Sequence, residues 1–358
     1  MPDAISKRQV TALIGRCYAG LDAASLRDEV LRRLGRIMTV DAAFFATVDP
    51  QTLLFTSATA DDPLRAATPL FLDNEYGRAD VNKFAALAEA ADPVGSLDRA
   101  TRGQRAGSAR YREVMSPLGL GDELRAALIT GNQCWGAMCL HREDASYGFD
   151  DREVDLVRRI APHVAEGLRR AVTLGPLPAA AVIAGTAGPG LIVLDQDLAV
   201  MSLNAEAAQW LAEMDEADWP AGSELPMAVY AAAARLAWLE QGAAPRLSAS
   251  VRLRSRSGQW LSLHASRLGG PPAPQLGVVI APTPAAQVSS LLLSAHGLTG
   301  AQSRVVALVI KGRSTRQIVA ELHISQHTVQ EHLTAAFDKL GVRSRRELVA
   351  SMLAGPPA

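Results

Sequence analysis

The chain has 358 residues, a length that predicts two or three domains. Hydrophobic residues make up 48% and charged residues 20%, and no apolar run reaches the roughly 18 residues that a membrane-spanning helix needs. From Ser290 onward, eight Lys and Arg face four Asp and Glu, so this stretch is net +4 and the rest of the net −1 chain is about −5. A basic end on an acidic body predicts that the end binds a polyanion. The first residues lack a signal-like apolar stretch, so a cytoplasmic location is expected.

The first segment extends to about residue 174 and mixes helical and strand patterns. Apolar residues recur at helical spacing over 25–38, and strand-like runs follow at 41–49, 52–58 and 134–141, with a turn at Pro50. A closing helix is predicted with Asp150 as N-cap and Glu153 three residues later. Pro162 lies inside this helix and is expected to kink it. Its apolar stripe comprises Val154, Val157, Ile160, Val164 and Leu168.

The second segment follows a linker rich in Gly, Pro and Ala at 174–190. Residues 191–204 predict two strands around a tight turn at 195–197, and a helix-prone stretch covers 205–214. Alternation over 246–268 predicts a hairpin that turns at Ser257 and Gly258, and 277–282 is a last strand. The stretch 281–287, APTPAAQ, is interpreted as a second linker.

The third segment contains three predicted capping boxes, in which a hydroxyl residue is followed three residues later by Gln or Glu. They are Thr299 with Gln302, Ser314 with Gln317, and Ser344 with Glu347. Ser325 marks a fourth helix start, and Gly312 and Gly341 stand where a left-handed residue ends a helix. These signals predict four short helices at about 300–311, 315–322, 326–340 and 345–353.

The second and third of these helices are separated only by residues 323–325, which predicts a helix-turn-helix. On the third helix Val329, Leu333, Phe337 and Leu340 form an apolar stripe. His327, Glu331 and Thr334 fall on the opposite face, with Gln330 at its flank. In such motifs the second helix of the pair enters the major groove of DNA. The alternative that the pattern leaves open is a small helical bundle with a solvated face.

Residues 297–349 resemble the LuxR-type DNA-binding domain along their whole length. The resemblance rests on Leu298-Thr299, Gly312, Ser314, the 318–322 helix, Ile324-Ser325, Thr328-Val329, His332 and the run KLGVRSR at 339–345. It implies double-stranded DNA as partner. The residues expected to contact DNA are Lys311, Arg313, Ser314, Thr315, Arg316, Ser325, Gln326, His327, Thr328, Gln330, Glu331, His332, Thr334, Arg343, Ser344, Arg345 and Arg346.

Three positions depart from the usual pattern of this family. Gln302 replaces a usual acidic residue but preserves the capping box. Gln330 and Thr334 are neutral where the family often has Lys or Arg, and Glu331 lies between them. An acidic reader can accept from cytosine N4 but repels phosphates, so the preferred DNA sequence cannot be borrowed from the family.

The last predicted helix offers Leu348, Val349 and Met352 as an apolar strip. In the LuxR family this helix pairs two copies of the domain, so the resemblance implies a homodimer on a palindromic operator. The long helix before residue 174 is expected to supply a second dimer contact. RNA polymerase is a further candidate partner.

Two upstream resemblances complete the fold prediction. Residues 5–174 resemble a GAF domain, and 186–284 resemble a PAS domain, through LIVLDQDLAVMSLNAEAAQWL and the Trp260 hairpin. With 291–355 as the LuxR-type domain, the expected fold class is α+β multidomain: two antiparallel α+β sensor domains, then an all-α four-helix domain. Both sensor folds commonly hold a small molecule, but a fold alone does not establish a ligand.

The sequence gives only weak signals of redox, metal-binding or phosphate-binding sites. Cys17, Cys134 and Cys139 are interpreted as reduced thiols, with Cys134 and Cys139 on opposite faces of one strand. His141 and His163 are interpreted as structural rather than haem or metal ligands, and Trp135 and Tyr76 as packing rather than pocket residues. The GTAGPG run near Gly185 lacks the Lys-Ser/Thr of a phosphate-binding loop. No cofactor, metal site or catalytic arrangement is identified, and the ligand-binding residues are unknown.

The sequence therefore predicts a one-component transcription regulator whose upstream domains sense a signal, with a small molecule as the favoured kind. One alternative keeps DNA binding but places it under a protein partner or thiol redox state. A second alternative is an upstream enzyme, against which the missing phosphate loop and metal spacings count.

Overall fold

The computed structural model describes residues 6–143, 148–174, 188–214, 225–239, 248–269 and 275–354. The linker predicted at 174–190, which includes the run near Gly185, lies mostly outside these residues. The helices are α1 (Lys7–Cys17), α2 (Ala23–Leu34), α3 (Thr68–Gly77), α4 (Phe84–Glu89), α5 (Leu97–Ala100), α6 (Asp151–Leu174), α7 (Ala205–Glu213), α8 (Met227–Leu239), α9 (Ala285–Ala295), α10 (Gly300–Ile310), α11 (Thr315–Leu322), α12 (Gln326–Leu340) and α13 (Arg345–Ala354). The strands are β1 (Ala42–Val48), β2 (Phe55–Ala60), β3 (Val94–Ser96), β4 (Leu120–Thr130), β5 (Gln133–Glu143), β6 (Gly190–Leu194), β7 (Val200–Leu203), β8 (Ser250–Arg254), β9 (Trp260–Leu268) and β10 (Gln275–Pro282). Among the described helices, none has the length and apolar character to cross a bilayer.

The first sheet is antiparallel, with strand order β2-β1-β5-β4-β3. Helix α6 packs on one face, and the predicted apolar stripe of five residues, from Val154 to Leu168, is buried as expected. The predicted N-cap is confirmed: Asp150 Oδ1 accepts from the Glu153 N–H at 2.9 Å, and Glu153 Oε2 accepts from the Asp150 N–H at 2.9 Å. The helix continues through Pro162 without interruption.

Strand β4 has no counterpart among the predicted elements, because charged residues interrupt its apolar pattern. Glu123 and Arg125 are fully buried on it. The Arg125 guanidinium contacts Glu75 at 2.9 Å and Glu123 at 3.3 Å, while Arg110 contacts Glu123 at 2.7 Å. The ring of Phe84 lies 4.2 Å from the Arg125 guanidinium carbon. This face of the sheet is therefore filled by the chain's own ion pairs and aromatic rings.

The second sheet is also antiparallel, and its order, β7-β6-β10-β9-β8, places its five strands in the same relative sequence as the first. The predicted hairpin is confirmed, with Arg254 paired to Trp260 across a turn at Gly258, where φ is +85°. The predicted α7 begins at its N-cap Asn204, whose side chain accepts from the Ala207 N–H. The antiparallel α+β architecture predicted for this segment is observed, and its assignment to the PAS family stays a prediction.

Helix α9 corrects the interpretation of APTPAAQ as a linker. Strand β10 extends to Pro282 and α9 begins at Ala285, with Pro284 as N-cap, so the prolines mark a strand end and a helix start. On α9, Leu291 and Ala295 join the core between α6 and the first sheet, whereas Leu293 joins the core of the last four helices. Helix α9 therefore contributes side chains to both cores and connects them.

A buried ion pair joins the two sheet domains and α9. Asp49, at the end of β1, accepts from three donors of Arg252 on β8: its backbone N–H at 3.1 Å, Nε at 2.8 Å and Nη2 at 2.6 Å. Arg252 Nη1 also donates to the carbonyl of Gln287 on α9 at 3.3 Å. Asp49 is 2% exposed and Arg252 6% exposed. One guanidinium therefore contacts three parts of the fold.

We expect Asp49→Ala to lower the free energy of unfolding by about 3–5 kcal/mol, because it leaves the Arg252 charge buried without a partner. Urea denaturation followed by circular dichroism measures the change. The matched control is Asp92→Ala, which removes an exposed pair with Arg158 and should cost about 1 kcal/mol or less. Equal losses in the two variants would contradict a special role for the buried pair.

Candidate nucleic-acid interface

The predicted helix-turn-helix is formed by α11 and α12. Ser314 Oγ accepts from the Gln317 N–H at 3.3 Å and Gln317 Oε1 accepts from the Ser314 N–H at 2.8 Å, which confirms the capping box that starts α11. Ser325 Oγ accepts from the Thr328 N–H at 3.0 Å and starts α12. Between them His323 adopts a left-handed conformation with φ of +53°, so the chain reverses within three residues.

Helix α12 has the two faces that its sequence predicts. Val329 and Leu333 are buried together with Ala336, while Phe337 and Leu340 pack partly buried against the same core. The opposite face is a shallow groove lined by His327, Gln330, Glu331, Thr334, Ala335 and Asp338. The residues predicted to read bases therefore share one accessible surface.

This groove carries two carboxylates and one imidazole. His327 Nε2 lies 3.4 Å from Glu331 Oε1, one helical turn away, and both side chains are largely exposed. Asp338 adds a second carboxylate nearer the end of the helix. His327 can neutralise Glu331 only when it is protonated. A surface of this kind offers hydrogen-bond acceptors to base edges but no attraction to phosphates.

Positive charge is concentrated in two stretches of chain that the fold brings together. Lys311, Arg313 and Arg316 lie around the start of α11, and Arg343, Arg345 and Arg346 around the start of α13. The Arg345 guanidinium donates to the carbonyl of Arg313, which joins the two stretches. Arg345 is half-buried, whereas Arg316 is exposed. Arg345 therefore holds the two basic stretches together, whereas Arg316 presents its positive charge to solvent.

The remaining capping predictions are confirmed except for one detail. Thr299 and Gln302 form the predicted reciprocal box at the start of α10. Ser344 Oγ accepts from the Glu347 N–H at 3.1 Å, but Glu347 Oε2 accepts from the Arg343 N–H at 2.6 Å instead of the Ser344 N–H. Lys339 Nζ donates to the Gly297 carbonyl and to Gln302 Oε1, both at 2.9 Å, and so ties the end of α12 to the start of α10.

The predicted dimer strip lies partly in the core of its own domain, and its role in dimerisation stays a prediction. Leu348 is fully buried in the core of the four-helix domain, because α13 must cover α10, so its side chain has no surface left for a second copy. Val349 is half-buried against the same core. The side chain of Met352 lies outside the described residues. The apolar stripe of α6 is also buried within the chain, and among the side chains of this helix that the structure describes, the exposed ones are polar or charged except for Pro162.

The three cysteines are buried thiols, as predicted. Burial raises the pKa of Cys17 to about 11 and that of Cys134 and Cys139 to about 12, so all three stay protonated at neutral pH. The expectation that Cys134 and Cys139 lie on opposite faces is wrong, since both join one apolar cluster. The pairing register of β4 with β5 shifts between Leu128 and Ile129, next to Cys134, and this irregularity reverses the alternation.

The two histidines occupy structural positions. His163 Nδ1 hydrogen-bonds to Tyr18 Oη at 2.8 Å. Burial lowers the pKa of His141 to about 4. His141, Glu123 and Cys139 have ligand atoms within 4.8 Å of one another. Two guanidinium groups already contact Glu123, however, which favours a closed ion-pair network over a cation site.

Tyr76 and Trp135 differ in their surroundings. Tyr76 is buried against the ring of Phe55, and its hydroxyl accepts from the Phe55 N–H at 3.3 Å, in agreement with a packing role. Trp135 packs in the core under α6 but also lines a cavity between the two sheet domains, where the sequence predicted only packing.

Comparison with known proteins places these elements in families. Residues 296–352 match the family "Bacterial regulatory proteins, luxR family", and residues 22–168 match the GAF domain. Spore germination protein GerE of Bacillus subtilis is 38% identical over 56 residues, which cover 16% of this chain and 76% of that protein.

Two solved structures show weaker likenesses. The VqsR LBD domain from Pseudomonas aeruginosa has 16% identity and a TM-score of 0.32, covering 46% of this chain and 98% of that one. The E. coli DhaR(N)-DhaL complex has 12% identity and a TM-score of 0.24, covering 79% and 93%. Neither is close enough to indicate a shared fold.

The region that matches the LuxR family contains the helix-turn-helix, and the region that matches the GAF domain contains the first sheet domain. The capped α11, the tight turn at His323 and the exposed face of α12 are what the first match leads one to expect. The chain belongs to the LuxR family of bacterial regulatory proteins and is a DNA-binding transcription regulator with a GAF domain upstream of its helix-turn-helix.

Proposed function

We propose that the chain is a one-component regulator that recognises a specific operator sequence and responds to a small molecule. The observation that supports this proposal is the exposed polar face of α12 in the same domain as two arginine-rich stretches that the Arg345 contact to the Arg313 carbonyl holds together. The arginines would bind phosphates and the groove would meet base edges, since such motifs use phosphate contacts for positioning and base contacts for specificity. The protein acts without catalysis of its own and works in the cytoplasm, where RNA polymerase is available to it.

Control by thiol redox state is the less favoured alternative. The three thiols are buried and protonated, and reactive sensor cysteines are typically exposed thiolates. A homodimer needs an apolar contact surface of its own. Four exposed large apolar side chains, Leu191, Val200, Met201 and Leu203, lie on β6 and the edge strand β7. We assign this patch to a second copy of the chain, since an operator-binding dimer needs a contact and the described part of α13 leaves little apolar surface for one.

The phosphate role is tested by two arginines that differ in burial. We expect Arg316→Ala to weaken binding to every DNA sequence alike and to reduce the salt slope by about one, with no change in stability. Arg345→Ala should weaken binding similarly but also lower the melting temperature, because it frees the Arg313 carbonyl. Fluorescence anisotropy at several salt concentrations, with operator and random DNA, measures both. A loss of sequence preference alone would remove Arg316 from the phosphate-binding surface.

The reading role of α12 is tested at Glu331. As a base reader it should prefer a cytosine N4 donor, so Glu331→Ala should change the preferred base pair at one position, at about 1–3 kcal/mol. Selection from random DNA by the wild type and the variant compares the two preferences. Glu321→Ala is the control, since that exposed carboxylate lies on α11 beside Arg313. Identical preferred sites for wild type and Glu331→Ala would exclude this residue from base reading.

The dimer is tested on β7. Met201 is 54% exposed, and Met201→Asp should convert a micromolar dimer into monomer in sedimentation equilibrium, because it places a charge in an apolar contact. Leu70→Asp is the matched control, since Leu70 is 49% exposed and lies elsewhere, on α3. The wild type should protect two half-sites about one helical turn apart. A wild-type monomer on and off DNA, or a single protected half-site, would disprove the dimer.

A further inference from the structure

The C-terminal end of α9 lies directly before the DNA-binding domain. Helix α9 ends at Ala295, and the capping box of α10 begins at Thr299. The core of the four-helix domain contains Leu293 of α9 and, among the described residues, no side chain from either sheet domain. The orientation of the DNA-binding domain therefore depends on what holds this end of α9.

The end of α9 is completed by a residue from another part of the fold. The last four backbone carbonyls of an α-helix have no partner inside the helix. In α9 the carbonyls of 292–294 accept from backbone N–H groups of 296–298, at 2.8 to 3.1 Å. The last carbonyl, that of Ala295, accepts from the guanidinium of Arg169 on α6. A cation is also favoured there by the partial negative charge at the C-terminus of a helix. Arg169 therefore caps α9 from α6.

The guanidinium of Arg169 is held in a fixed orientation. Glu166, one turn earlier on α6, accepts from Arg169 Nε at 2.8 Å and from Nη2 at 2.5 Å, while Nη1 is the group that contacts α9. A two-point contact of this kind is both strong and directional. The two side chains are only 17% and 15% exposed. Glu166 also accepts from the Thr130 hydroxyl at the end of β4, at 3.3 Å. The first sheet domain therefore fixes the group that caps α9.

The residues after Ala295 fit closely around this contact. Gly297 has a φ of +74°, and a Cβ atom at this position would lie 3.4 Å from Arg169 Nη1. The carbonyl of Gly297 accepts from Lys339 Nζ, in the last turn of α12, at 2.9 Å. A series of contacts therefore leads from the first sheet domain through Arg169 to the helix that reads DNA.

We infer that Arg169 is a positioning residue for DNA binding, which fixes the helix-turn-helix against the first sheet domain and thereby sets the spacing of the two half-sites that a dimer accepts. The inference rests on the proposed dimer. Each copy in that dimer carries its α12 on α9, so a fixed α9 restricts the separation of the two reading helices. Readers that are held in place bind a matching operator tightly and reject other spacings, whereas loosely held readers tolerate several spacings.

Hydrogen exchange of the full chain tests the contact without DNA. In Arg169→Met the amides of 296–298 should exchange about tenfold faster than in the wild type, because α9 loses a charged hydrogen-bond donor at its end. Arg170→Met is the matched control, since Arg170 also pairs with Glu166, at 2.8 Å, but its guanidinium lies over the Tyr18 ring. Equal exchange rates in the two variants would overturn the positioning role.

Operators with altered spacing test the consequence. The affinity of the wild type should fall about tenfold or more when the half-sites are moved apart by half a helical turn, about five base pairs, since the readers then face opposite sides of the duplex. In Arg169→Met this penalty should shrink to about threefold, and binding to a single half-site should stay as in the wild type. Arg170→Met should keep the full penalty. Arg169→Lys, which retains one charged donor, should restore part of it. An unchanged penalty in Arg169→Met would overturn the inference.

Failure of the proposed function gives a different pattern. A wild type that binds as a monomer, or with equal affinity at every spacing, would disprove the dimer and with it the spacing role of Arg169. The exchange measurement would then still decide whether Arg169 holds α9. The melting temperature establishes that each variant is folded, and Arg169→Gln replaces Arg169→Met in both measurements if the latter does not fold.

Discussion

The arrangement of the molecule depends on the buried pair of Asp49 and Arg252. A carboxylate removed from water must be compensated in full, and Asp49 receives three donors from Arg252 and a fourth from the Gln51 N–H at 3.0 Å. The same guanidinium reaches the Gln287 carbonyl on α9. Because these bonds are directional, they fix the second sheet domain and α9 against the first, and the interdomain cavity forms beside them.

A second group of buried charges works within one domain. Glu75, Arg110, Glu123 and Arg125 neutralise one another under α3 and α4. Purely apolar residues of similar volume could stabilise this region as well or better. These charged side chains fill one face of the first sheet. Among the residues that the structure describes, the junction between the two sheet domains is the more open space.

The C-terminal domain was the most predictable part of the sequence, because its signals are local. Capping boxes at Thr299 and Ser314 and left-handed glycines at 312 and 341 each act within a few residues. Strand β4 was missed because its charges are compensated by residues far along the chain, such as Glu75. Helix α9 was missed because prolines at its start are equally typical of a linker. The role of Trp135 in the cavity could not be foreseen, since the opposite wall belongs to another domain.

The same distinction applies to the functional surface. Exposure of His327, Glu331 and Thr334 follows from helical periodicity alone. The junction of the 311–316 and 343–346 stretches does not, because it depends on a contact between the Arg345 side chain and the Arg313 backbone. The burial of Leu348 also depends on tertiary packing, as α13 can cover α10 only by inserting that residue.

Helix α9 has a consequence for how this regulator can be divided and recombined. Leu293 precedes the 296–352 region that matches the LuxR family, yet it belongs to the core of that domain. A fragment cut at the family boundary would lose a core side chain, and a fusion that kept α9 would bring Leu291 and Ala295 into solvent without the surface of α6 that covers them. An exchange of sensory domains between relatives therefore requires α9 and the surface of α6 that it contacts to be transferred together.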